Sequence, residues 1–206
     1  MADCCNDKAC EIEALRDRQS SILKIVLGIN AVMFAVELTA GLLASSVSLI
    51  ADSLDMLGDA LVYGFSLYVV ARGAKMKAIS ALFKGSIMAA FGLFVLGQAI
   101  YKIIVPQVPV FEAIGAIGLL ALAANSICFV LLWRHRADDI NMSSVWLCSR
   151  NDIAANVSVL FAAAGVWLTD SGWPDILVGL ALAALFLRSA LFVLRGAGTE
   201  LRAINA

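Results

Sequence analysis

Asp55 and Asp59 stand one helical turn apart inside an apolar stretch, SLIADSLDMLGDALVYGFSLYVVA. An ionised carboxylate in hydrocarbon is costly, so acids within a membrane segment mark a functional site by default. Cys148 and Asp152 repeat the spacing in a later apolar stretch, VWLCSRNDIAANVSVLFAA. Residues four apart share a helix face. Two such helices side by side would therefore offer Asp55, Asp59, Asp152 and Cys148 to one divalent cation. Carboxylate oxygens alone suit Mg2+, Ca2+ or Mn2+, whereas a thiolate shifts the preference towards Zn2+ or Cd2+ in four-coordinate geometry. Ser149 and Asn156 lie near the same face, so Asp152 with Asn156 is an alternative, harder pair. A cation held by these acids must displace their protons, and that competition suffices to couple metal to proton movement.

The elements that must position these residues are membrane helices. The chain is 62% hydrophobic and 15% charged, against about 45–50% and about 25% for a soluble domain. Its mean hydropathy is +0.91. A spanning helix needs about 20 mostly apolar residues. Six candidates satisfy this, at 21–43, 47–71, 79–104, 110–132, 143–168 and 174–194, joined by short connections. The expected fold is all-α: a polytopic bundle of six transmembrane helices. Lys and Arg gather in the N-terminal segment, the second and fourth connections and the C-terminal end, leaving only Lys102 on the other side. This bias predicts that both termini are cytoplasmic, with the protein in the cell's inner (plasma) membrane. The expected organisation is a Cys-containing leader over 1–20, the membrane domain over 21–195 and a short tail over 196–206, with no further domain.

Several classes are disfavoured. A net charge of −1 gives no basis for nucleic-acid binding. Five cysteines, three of them crowded at Cys4, Cys5 and Cys10, do not form a distributed disulfide framework. No Ser–His or His-Glu-x-x-His arrangement supports an intramembrane enzyme, and the sole histidine, His135, falls in a basic connection.

Other polar residues carry two readings each. Cys4, Cys5 and Cys10, with Asp7 and Glu11, are positioned to capture a soft metal, or form an unstructured tail. Glu37 and Asp52 are candidates to support the ion path, or to pair structurally with Arg150. Asn30 and Asn125 either bond across helices or line the path. Spans two and five are each the middle helix of a three-span half, the arrangement in which a central binding site lies between halves of opposite topology.

These residues resemble the cation diffusion facilitators, which include zinc transporters. SSVSLIADSLDMLGD resembles the family's second span, where an (Asp/His)-x3-Asp metal pair falls on Asp55 and Asp59. CSRND places Cys148 and Asp152 on the (His/Asp)-x3-Asp pair of the fifth span. Glu37 in FAVELTAGLLASS, Asn125 in the fourth span and the WPDILVGLALAALF opening of the sixth are similar too. The resemblance implies an antiporter that expels Zn2+ or a similar ion in exchange for protons, as a homodimer working by alternating access. Two departures stand out: Cys148 replaces the family's usual His, and the chain looks like a member without the cytoplasmic C-terminal domain, so dimerisation would rest on the membrane helices. No cofactor is expected beyond the transported ion. The competing expectation is a non-transporting membrane sensor or assembly subunit whose acids pair structurally.

Overall fold

Long apolar runs broken by few turn residues leave the backbone one way to satisfy its polar groups in lipid, the helix. The computed structural model describes the backbone of residues 3–69, 74–134 and 140–205. It holds six helices: α1 (Asp3–Ala44), α2 (Val47–Val69), α3 (Ala74–Ile104), α4 (Phe111–Trp133), α5 (Ile140–Thr169) and α6 (Trp173–Asn205). Five contain stretches long and apolar enough to cross a membrane. The remaining one, α2, is 23 residues long and carries Asp52, Asp55 and Asp59. Large apolar side chains such as Leu43, Ile104, Leu168 and Phe192 face outward on the helix surfaces, as expected of a bundle whose solvent is lipid. The chain is a multi-pass membrane protein.

The expected boundaries need correction at the ends. α1 begins at Asp3, so the backbone of the leader continues the first span as helix rather than forming an unstructured tail. α6 likewise runs to Asn205, through the expected tail. α3 and α5 start five and three residues earlier than hydropathy suggested, because hydrogen bonding carries a helix past its apolar stretch.

Six crossings return the chain to its starting side, so the termini share one end. The turns α1–α2, α3–α4 and α5–α6 meet at the other, distal end. There the Val110 N–H donates to the Ala44 carbonyl at 3.1 Å. A Cβ on Gly172 would lie 2.6 Å from the Gln107 carbonyl oxygen, which is why that position is glycine. The main helix contacts are α3 with α6, α1 with α2 and α4 with α5, and α2 and α5 also meet. On α3, Gly85 and Gly92 admit Leu194 and Leu187 of α6, the close approach that small residues allow between membrane helices.

The distal start of α2 is fully accounted for. α1 ends on Ser45 in the left-handed region (φ 56°). The Ser46 N–H donates to the Gly41 carbonyl at 2.9 Å and the Ser45 N–H to that of Leu42 at 3.3 Å, the paired bonds of a Schellman ending. Ser46 then caps α2, its Oγ accepting from the Leu49 N–H at 3.1 Å. The next helix donors find Asp175 of α6: Val47 N–H at 2.7 Å and Ser48 N–H at 3.1 Å. The Ser46 and Ser48 hydroxyls donate to the same carboxylate. The Ile50 N–H reaches the Ser46 carbonyl at 3.3 Å. All four donors that a helix start leaves open are met, and an anion sits where the helix dipole favours one. Asp175 thus fixes the end of α2 from which the other acids are counted.

Candidate metal site

From that anchor, α2 carries its acids inward at positions 52, 55 and 59, on one helix face. Ala51, Asp52, Ser53 and Leu54 are buried, while Asp55 and Asp59 are half-buried. Asp52 accepts a 2.7 Å hydrogen bond at Oδ2 from Asn156 Nδ2 of α5. The Asn156 Oδ1 in turn accepts from Asn125 Nδ2 of α4 at 2.8 Å. This chain of amides joins α4, α5 and α2 through three buried side chains and fixes how both amides point. It turns the polar residues expected along the path, Asn125, Asn156 and Asp52, into one connected unit.

Glu37 of α1 completes the group. It is fully buried, and no donor from another residue meets either of its carboxyl oxygens. Its neighbour is Asp52, with Asp55 also within electrostatic reach. Asp55 in turn feels Asp59 and Asp52. Four acids from two helices therefore act on one another in a region of low dielectric; the Asn156 amide donates to Asp52 alone, and the Glu37 and Asp52 carboxyls lie within hydrogen-bonding reach of each other. Buried carboxyls so placed need protons or a cation between them.

The structural pairing with Arg150 does not occur. Arg150 is exposed, its guanidinium carbon 5.9 Å from the centre of the Trp146 ring. Trp146 belongs to an aromatic cluster with Phe129 and Trp133 at the terminal end of α4 and α5. A cation over an aromatic face at the membrane edge does not need a carboxylate partner. Arg150 is accordingly a surface residue of that cluster, not a support of Glu37 or Asp52.

On α5, Asp152 is 9% exposed, and Ser149 is buried with its hydroxyl unmet by any partner. α2 leaves the distal end while α5 approaches it, so the two run antiparallel. Stepping inward from the Asp52–Asn156 bond, one turn on each helix brings Asp55 and Asp152 to similar depth; a second turn brings Asp59 and Cys148. The helix register therefore sets the four expected ligand positions in two adjacent levels. The side chains of Cys148, Cys4, Cys5 and Cys10 lie outside the described residues. Among the described residues, no three Cys, His, Asp or Glu side chains close to metal-binding distances.

Asp175 was not singled out from the sequence as more than part of a helix start. Its position directly after Pro174, in the first turn of α6, marked a helix N-terminus but not the second helix it would serve. Asn30 does bond across helices, its Nδ2 lying 4.0 Å from Cys128 Sγ of α4.

A family profile described as the cation efflux transmembrane domain matches residues 23–201. The chain belongs to the cation efflux family. It is similar to the zinc transporter ZitB of Escherichia coli (strain K12), 27% identical over 203 residues that cover 90% of this chain and 63% of that protein. The ZitB proteins of Yersinia pestis and Yersinia pseudotuberculosis are 23% and 22% identical over 201 residues, covering 64% of each. The chain thus spans a little under two-thirds of the length of these curated relatives. The profile runs from α1 to the last turns of α6, so the matched region contains α2, α5 and every acid described above.

Proposed function

We propose that this protein is an efflux carrier for divalent transition-metal cations, Zn2+ and Cd2+ foremost, which it exchanges for protons by alternating access. Asp55, Asp59 and Asp152 bind the ion, and Cys148 completes the set. The observation that carries the reading is the cluster of Glu37, Asp52, Asp55 and Asp59, buried or half-buried, with a single amide donor reaching the Glu37–Asp52 pair. Such a cluster holds positive charge or protons by turns, which is what an exchanger requires. Membership of the cation efflux family and the likeness to zinc transporters support the substrate class.

In this mechanism the Asn125–Asn156–Asp52 unit holds α4, α5 and α2 in register. An ion at the level of Asp55 and Asp152 draws α2 and α5 together and expels the protons those acids held. Opening towards the far side lets protons return and releases the metal. The Lys and Arg bias of the connections supports cytoplasmic termini, and membership of the cation efflux family supports outward transport. We place the working protein in the inner (plasma) membrane as a homodimer formed through its membrane helices.

The test is flux into liposomes containing purified protein and an entrapped metal-sensitive dye, with and without an imposed pH gradient. The wild type should move Zn2+ and Cd2+, faster when protons are more concentrated on the trans side. Asp59→Ala should stop the movement while the protein remains folded. Full flux by Asp59→Ala would overturn the assignment of the ligands. No flux by the wild type under any gradient would favour a sensor or assembly subunit.

A further inference from the structure

At the distal end, the α3–α4 and α5–α6 connections enclose a cavity of about 180 Å3, far more than the roughly 10–15 Å3 that one water needs. Lys102, Gln107 and Val108 line it on one side, Asp170, Ser171 and Trp173 on the other. Lys102 is the one Lys or Arg that the charge bias leaves at this end of the bundle. Metal exchange gives it no task.

Its surroundings do not explain it either. Lys102 is 8% exposed. A buried ammonium is costly unless its donors are met, and lysine carries three. Nζ donates to the neutral Oε1 of Gln107 at 2.6 Å and makes no other bond among the described residues. The last turn of α3 favours a cation through the helix dipole, but no carbonyl there accepts from it. Asp175, which lies in the chain between the cavity residues Trp173 and Ile176, is already committed to Ser46, Val47 and Ser48 at the start of α2. Asp170 is exposed on the opposite wall, and no ion pair joins it to Lys102. The cavity thus holds a buried cation apart from an exposed anion.

Its edge indicates what would fill the gap. Trp173 is exposed, as are Val108 and the adjoining Ile103, and a Trp at a span end belongs at headgroup level. A phosphate suits a lysine ammonium, and a second, cationic group on the same ligand suits Asp170. The apolar side chains at the mouth suit an acyl chain.

We propose that this cavity binds the phosphoethanolamine group of a membrane lipid, with the phosphate on Lys102 and the ammonium at Asp170. The headgroup ties the α3–α4 connection to the α5–α6 connection beside Asp175, and so steadies the anchor of α2. The site stands apart from the metal ligands and does not depend on the carrier reading.

The experiment uses the full chain in a maltoside detergent. Its thermal unfolding midpoint is followed as phosphatidylethanolamine, phosphatidylglycerol, soluble phosphoethanolamine or inorganic phosphate is added, and retained lipid is counted by native mass spectrometry. Phosphatidylethanolamine should raise the midpoint saturably, with one molecule retained per chain, and should bind a few-fold more tightly than phosphatidylglycerol, the scale of an exposed ion pair. Lys102→Met should weaken both lipids by about tenfold or more, as loss of a charged hydrogen-bond donor does, while Lys102→Arg keeps them. Asp170→Lys, a change at an exposed position, should reverse the preference towards phosphatidylglycerol. Should Lys102→Met not fold, that reversal decides alone. Equal effects of the two lipids, unmoved by Asp170→Lys, would overturn the site. Saturation by inorganic phosphate or soluble phosphoethanolamine as tight as by the lipid would overturn the lipid as its source.

Discussion

Asp175 and Asp52 are the same residue type, both almost fully buried, on helices that touch, yet they live opposite lives. At the distal end, Asp175 accepts from two backbone N–H groups and two serine hydroxyls. About one and a half turns of α2 further in, Asp52 has one amide donor and faces the carboxyl of Glu37. A carboxylate with its acceptors filled is stable as an anion and has no reason to exchange its partners. Acids short of donors in a low-dielectric site hold protons or ions that can leave. The molecule thus separates a region that fixes geometry from a region that does chemistry, and hydrogen-bond supply, not burial, draws the line.

The largest expected effect lies on the chemical side. Asp55→Asn should reduce Zn2+ flux in proteoliposomes by about 100-fold or more, as loss of an ionic ligand from a cation site would. Its thermal unfolding midpoint in detergent should stay level or rise, because an acid short of donors has been neutralised. A fall in midpoint comparable to that of Asp175→Ala would erase the distinction between the two regions.

On the geometric side, Asp175→Ala strands two serine hydroxyls and two helix N–H groups. The cost should be about 3 kcal/mol or more, since bonds to charged groups contribute roughly 1.5–3 kcal/mol each and buried orphan donors add to that. Thermal unfolding in detergent reads it directly, and hydrogen exchange should show the first turn of α2 opening before the rest. Unchanged exchange there would mean that the carboxylate is dispensable.

Asn156→Leu tests the bridge between the regions. It removes the donor to Asp52 and the acceptor for Asn125, for about 1–3 kcal/mol. Metal binding should weaken as well, because α5 loses its register against α2. Calorimetric titration of Zn2+ compared with the unfolding midpoint would separate the two effects. The smallest change is Ser45→Gly. Ser45 occupies the left-handed region at the end of α1, at a cost of about 1–2 kcal/mol for an L-residue. Glycine should raise the unfolding midpoint modestly without altering flux.

Much of the architecture was legible in the residues. Six apolar runs yielded six helices, and positions 55/59 and 148/152 fall on α2 and α5, two helices that meet. The helix ends were less legible: polar residues of the leader and the tail continue α1 and α6, because hydropathy reports where lipid lies and not where helical hydrogen bonding stops. Arg150 misled for a related reason. A structural pairing with Glu37 or Asp52 was one reading of it, but rotation about the helix axis points the guanidinium at Trp146 on the outer surface.

Hydropathy and four-residue spacing are properties of a single segment, so the chain on its own determined that this is a helical membrane protein with acids gathered on one face of α2. Whether a given acid is saturated or starved of donors depends on side chains brought from helices over a hundred residues away, as with Asp175 and Ser46 or Asn156 and Asp52. Only packing, through the rotation and register of each helix against its neighbours, decided that Asp175 would hold the bundle together and that Glu37 and Asp52 would be left facing each other.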